Sequence, residues 1–129
     1  VYPELYARTL LIQLFLNFET NDLDVMEFNL KKTERYFEKR YKATEYEKLI
    51  LLFFNELIVS DRKAVIPVMK KYRQKLEHLL AANVELSKIY LVEKLLIDFG
   101  CWIDSKIYKT PLQKIVRENC MHPKFASKL

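Results

Sequence analysis

Thr44-Glu45-Tyr46-Glu47-Lys48-Leu49-Ile50-Leu51-Leu52-Phe53-Phe54 is the stretch whose reading decides the fold. Thr44 with Glu47 three residues on is a capping box: the hydroxyl takes the amide of the third helical residue, and the carboxylate reaches back to the amide of Thr44. A helix to about Val59 is predicted from it. Leu49, Ile50, Leu51, Leu52, Phe53, Phe54, Leu57 and Ile58 leave that helix almost without a polar face, so it is covered on several sides. Upstream, Thr20-Asn21-Asp22 is a break with N-cap chemistry, opening a helix from about Leu23 to Tyr41. Leu23, Met26, Leu30, Thr33, Phe37 and Tyr41 fall three and four apart and form its buried stripe. Further upstream, Pro3 and Glu4 suit the first turn of a helix to about Phe18. Thr9, Gln13 and Asn17 make one narrow polar stripe on this first helix; the rest is apolar nearly all round, so this helix too is covered on several sides.

Downstream of the decisive stretch, Ser60-Asp61 opens a fourth helix over about Lys63 to Ala82, with Val65, Met69, Tyr72, Leu76 and Leu79 inward and Asn83 as a left-handed cap. Pro67 makes that helix either kink or begin near Ile66. A fifth helix is predicted from about Leu86 to Tyr108, with Ile89, Val92, Leu96, Phe99, Ile103 and Ile107 on one face and Gly100 in its middle. Thr110-Pro111 caps a short sixth helix to about Glu118, and 119–129 is an irregular polar tail.

The chain has 129 residues, half of them apolar, four Pro and a single Gly. One Gly excludes folds built on many tight hairpin turns, and neither a dinucleotide fingerprint nor a P-loop can be written with it. The expected class is all-α in one domain over 1–118. Lys and Arg number 22 against 17 Asp and Glu, a net charge of +5, so an acidic partner or a nucleic acid is admitted where positive charge clusters. Cys101 and Cys120 form no disulfide framework, and no apolar run approaches a membrane span, so a reduced, cytoplasmic setting is expected. Val1 in place of Met leads to the expectation of a fragment of a longer protein. The terminal Ser127-Lys128-Leu129 matches the letters of a peroxisomal address and is read as coincidence.

Apolar helices alternate with longer amphipathic ones. At a shift of 40 residues Tyr6 meets Tyr46, Leu10 meets Ile50, Leu14 meets Phe54, Val25 meets Val65, Phe28 meets Val68 and Lys31 meets Lys71. The repeating unit is a helical hairpin, here 3–42 and 44–83, followed by closing helices over 86–118. With Tyr6-Ala7-Arg8, Phe37-Glu38-Lys39-Arg40, Ile89-Tyr90-Leu91-Val92-Glu93-Lys94-Leu95 and Trp102-Ile103-Asp104-Ser105-Lys106-Ile107, this pattern resembles degenerate tetratricopeptide-type α-solenoids. More narrowly, it resembles the C-terminal helical-repeat region of a large group of Bacteroidetes-type bacterial proteins. The resemblance implies about six helices in antiparallel hairpins stacked as a right-handed superhelix, and it brings no catalytic residue with it. Large Leu, Phe and Ile side chains stand where tetratricopeptide repeats usually carry a small residue.

Cys101, Cys120 and His122, with the distant His78, do not supply four zinc ligands at zinc spacing, so neither a metal nor a cofactor is expected. Asp98 with Asp104, or Glu45 with Glu47, could be called paired carboxylates, but Lys94 and Asp98 are spaced as an ordinary i,i+4 ion pair and Glu47 is explained by the cap, so no enzyme is expected. Trp102, beside Gly100, reads as a core anchor. The expected function is therefore a non-catalytic protein-protein interaction scaffold, with Gln13, Asn17, Lys48 and Asn55 as polar contacts if the first helices of each hairpin line the concave side. Its partner is another protein, an upstream part of its own chain, or a second copy covering the apolar first helix. The alternative is nucleic-acid binding through the basic outer helices 31–42 and 70–75, with Lys31, Arg35, Lys39, Lys71 and Lys75 along the phosphates.

Overall fold

A computed structural model of the protein describes residues 3–82 and 98–115, and among these every regular element is helical. The elements are α1 (Pro3–Glu19), α2 (Leu23–Lys39), α3 (Glu45–Val59), α4 (Val65–Ala82) and α5 (Phe99–Ile107), with a 3₁₀ turn Arg62–Ala64 before α4. The chain divides into two compact units, Val1–Arg62 and Lys63–Leu129. That division falls inside the segment 44–83 expected as a second hairpin, so α3 belongs with α1 and α2, and α4 with α5. In the first unit α1 packs on α2 and α3 packs on both; in the second α4 packs on α5.

The helix starts follow local chemistry. The Asp22 carboxylate accepts from the Val25 amide at 3.3 Å and opens α2. At α3 both halves of the capping box form: Glu47 N donates to Thr44 Oγ1 at 3.1 Å, and Thr44 N donates to Glu47 Oε1 at 2.9 Å. Pro67 sits in the first turn of α4, where its missing N–H interrupts nothing, so the helix begins at Val65 without a kink being required. The ends of α1 and α5 explain the scarcity of glycine. Asn21 and Lys109 take the left-handed conformation with φ of 56° and 51°. Asn21 N then donates to Phe18 O and Asp22 N to Asn17 O, and Thr110 N donates to Ser105 O, all at 3.0 Å, which is Schellman closure made without glycine.

Two expectations need correction. The uninterrupted helix from Leu86 to Tyr108 is broken at Asp98, whose backbone is extended (φ −97°, ψ 91°) and whose carboxylate accepts from the Cys101 amide at 3.0 Å. An aspartate preceding an apolar run is a strong N-cap, and here capping fixes its place in the chain. Gly100 therefore lies in the first turn of α5, buried, rather than in mid-helix. A short helical turn over 112–115 follows Thr110-Pro111. The Asn83 cap, the first part of the predicted fifth helix, Lys94, the end of the sixth helix and the tail lie outside the described residues.

The second correction concerns the repeat. Burial matches more fully at a shift of 39 residues than at 40, where Ala7/Glu47, Leu10/Ile50 and Leu14/Phe54 are the buried pairs. Ala7, Leu10, Leu11, Leu14 and Phe15 of α1 correspond to Tyr46, Leu49, Ile50, Phe53 and Phe54 of α3, and all ten are buried. Leu30 and Thr33 of α2 likewise correspond to Met69 and Tyr72 of α4, all buried. At 40 the exposed Phe28 would meet buried Val68 and buried Leu30 would meet exposed Lys70. At 39 the capping Asp22 meets Asp61, each standing immediately before a helical segment. Apolar residues outnumber buried positions in these helices, so apolar matching alone leaves the phase open.

Candidate interaction surface

Side-chain contacts cross the seam between α1 and α2, among them the Tyr36 hydroxyl donating to Pro3 O at 3.4 Å. Asn29 Nδ2 donates to Asn17 Oδ1 at 2.8 Å, and the Tyr6 and Tyr36 rings meet edge-on with centroids 4.7 Å apart. Tyr36 also stacks on Tyr41 at 5.9 Å, and Phe37 leans on Tyr41 at 5.4 Å. The Tyr41 hydroxyl donates to Glu47, 2.8 and 3.0 Å from its two carboxylate oxygens, which ties this aromatic group to the cap of α3. Deeper in, Phe15 meets Phe54 edge-on at 5.0 Å.

The four expected polar contacts have different surroundings. Asn17 is spent on Asn29 across the seam, and Asn55 Nδ2 donates to Leu51 O on its own helix at 3.1 Å. Gln13 is half-buried on α1. Lys48 is exposed, 3.4 Å from Glu45, and lines a shallow depression of about 340 Å³ between α2 and α3 with Glu34, Phe37, Glu38, Lys42, Ala43 and Leu51. Asn17 and Lys48 thus belong to different sides of α2.

The basic residues are also unequal. On α2, Lys31 lies 3.7 Å from Glu27, while Lys32, Arg35 and Lys39 are exposed and form no ion pair among the described residues. On α4, Lys71 and Lys75 lie over the buried Tyr72 ring at 5.5 and 4.9 Å. Arg73 turns instead to Asp104 on α5 at 3.0 Å and to Glu77 at 3.3 Å. Burial raises the Asp104 carboxyl above its ordinary 3.8, while the charge and hydrogen bond of Arg73 pull it down. The α2 and α4 faces belong to separate units, and each stands as its own surface.

Trp102 and Cys101 are buried in α5, as a core anchor and a packed thiol, and Lys106 lies 5.7 Å over the Trp102 ring. Among the described residues no three His, Cys, Asp or Glu side chains cluster to hold a metal, and no helix is long and apolar enough to cross a membrane. Cys120 and His122 lie outside those residues.

No protein-family model, curated protein or solved structure matches this chain. The surface must speak for itself. Three exposed apolar side chains lie along α1 and α2: Phe28 at 67%, Leu16 at 57% and Val25 at 42% accessible. Leu23, placed in the buried stripe of α2, is exposed, and so are Leu5 and Leu16 on the first helix expected to be covered on several sides. For Phe28 a signal existed, since it falls off the stripe marked by Met26, Leu30 and Thr33.

Proposed function

We propose that this chain is a non-catalytic protein-protein interaction scaffold of helical-repeat type, similar to degenerate tetratricopeptide-type stacks. The observation that carries the reading is the recurrence of the burial pattern at 39 residues, a length that suits one helical hairpin of a solenoid. The packing of α3 on both α1 and α2 is what a stacked repeat requires of its next first helix. Rigid helices with large apolar side chains left on their outer faces suit a partner that covers them. In this reading Gln13 and Lys48 remain available as contacts, whereas Asn17 and Asn55 hold the scaffold.

Nucleic-acid binding draws less support. Tyr72 is buried, and Tyr36 and Tyr41 are stacked on each other, so the tyrosines interleaved with the basic residues offer bases little open surface.

The test places a photoreactive benzoyl-phenylalanine in turn at Gln13, Phe28, Lys48 and Lys75, with irradiation in the cells that make the protein. A defined protein adduct from one or more positions is expected. Absence of a protein adduct at all four, or adducts of nucleic acid alone, overturns the scaffold.

A further inference from the structure

We propose that the open side of the α1–α2 seam docks an acidic protein segment: apolar side chains of the partner cover Leu16, Val25 and Phe28, and its carboxylates meet Lys32, Arg35 and Lys39. This rests on the scaffold reading and names the partner's chemistry.

Three observations converge. First, the helices of the hairpin run antiparallel, and the Asn17–Asn29 bond fixes their register, so Leu16 stands level with the first turns of α2, where Val25 and Phe28 are. All three are large, exposed and apolar, although neighbouring positions on both helices are fully packed. Second, Phe28, Lys32, Arg35 and Lys39 recur at spacings of four, three and four, which places them in one line along α2. At about 1.5 Å per residue the line runs roughly 16 Å, close to three helical turns. Third, Lys32, Arg35 and Lys39 have no ion-pair partner among the described residues, in contrast to Lys31. An apolar end continued by a cationic end is complementary to a segment with the opposite charge and the same apolar start.

The charge pattern also selects protein over polyanion. Asp24 and Glu27 are exposed beside the apolar end, and Glu38 is exposed beside Lys39. A phosphate chain following the line would run against these carboxylates, whereas a protein segment places its own charges only where Lys32, Arg35 and Lys39 stand.

The test titrates the full chain with four probes. They are a labelled amphipathic peptide of roughly 18 residues with Leu on one face and Glu on the other, long enough to span the line; the same peptide with Lys for Glu; a single-stranded oligothymidylate; and phosphatidylserine vesicles. Saturable binding of the acidic peptide is expected, with none for its Lys counterpart. Phe28→Ser should weaken it about tenfold, and Lys32→Glu with Arg35→Glu should abolish it, while Lys42→Glu, beyond the end of α2 in the depression beside α3, changes it less than about twofold. Circular dichroism confirms that each variant is helical. Tighter binding of oligothymidylate or vesicles, indifference to Phe28→Ser, or a dimer that Phe28→Ser dissolves would each overturn the proposal. If the acidic peptide fails while photoadducts form at Gln13 or Lys48, this surface falls and the scaffold stands; if both fail, both fall.

Discussion

Glu47 holds the junction of the first three helices, and truncating it tests whether the cap of α3 does more than start a helix. Its side chain is 1% exposed, accepts the Thr44 amide at 2.9 Å, and takes the Tyr41 hydroxyl at 2.8 Å. Thr44→Ala removes one cap acceptor in a half-buried place and should cost about 1 kcal/mol. Glu47→Ala strands the Tyr41 hydroxyl and the Thr44 amide and leaves a void; each stranded buried group costs about 1–3 kcal/mol, so a total near 3 kcal/mol is expected. An unfolding entropy of about 2.1 cal/mol/K per residue over 129 residues gives roughly 0.27 kcal/mol/K. The two changes then lower Tm by about 4 °C and about 11 °C. The assay is thermal denaturation followed by circular dichroism, with urea midpoints as a check and Tyr41→Phe to complete a double-mutant cycle. A Glu47→Ala protein no less stable than Thr44→Ala, or a cycle without coupling between positions 41 and 47, would show that the hydroxyl–carboxylate link contributes nothing.

Three further outcomes follow from the fold. Lys109→Gly relieves a left-handed lysine at the end of α5 and should raise Tm by a few degrees, about 0.5–1 kcal/mol, in a melting scan. Because burial raises the Asp104 pKa in the folded state, the folded chain binds that proton more tightly than the unfolded one; this contribution is full below pH 3.8 and is lost as pH rises through the raised value. Tm–pH curves of wild type and Asp104→Asn should therefore diverge across that window, and Arg73→Met, which removes the main lowering influence, should push its upper end to higher pH. The 39-residue register requires Leu30→Ala and Met69→Ala each to cost about 2–5 kcal/mol in urea unfolding, while Lys70→Ala, the counterpart of Leu30 at 40, stays within about 0.5 kcal/mol.

Helix starts were legible because they depend on residues next to each other. Thr44 and Glu47 meet through local geometry, so the capping box can be read from four letters, and Asp22 is nearly as explicit. Asp98 carried the same chemistry, but the apolar periodicity running from Ile89 to Ile107 masked it: spacing that continues across a break looks like one helix. The phase of the repeat was not legible for a related reason. In α1 and α3 apolar side chains fill more positions than the core takes up, so shifts of 39 and 40 both match apolar to apolar, and only burial separates them.

Residue polarity alone does not mark the candidate surface. A polar side chain on a helix reads as a contact, yet Asn17 bonds across the hairpin and Asn55 to its own helix, because an amide near a helix interface finds an internal partner before it meets a ligand. An apolar side chain on a helix reads as core, yet Phe28 stands in the middle of a solvated face. Full burial of such a ring is worth about 1.5–3 kcal/mol, and phenylalanine is only a modest helix former. On α2 it therefore contributes little to folding where it stands, beside three lysine and arginine side chains that have no acid to meet within the described chain. Stability does not call for that combination on a helix's outer face. A partner that buries the ring and supplies the carboxylates does.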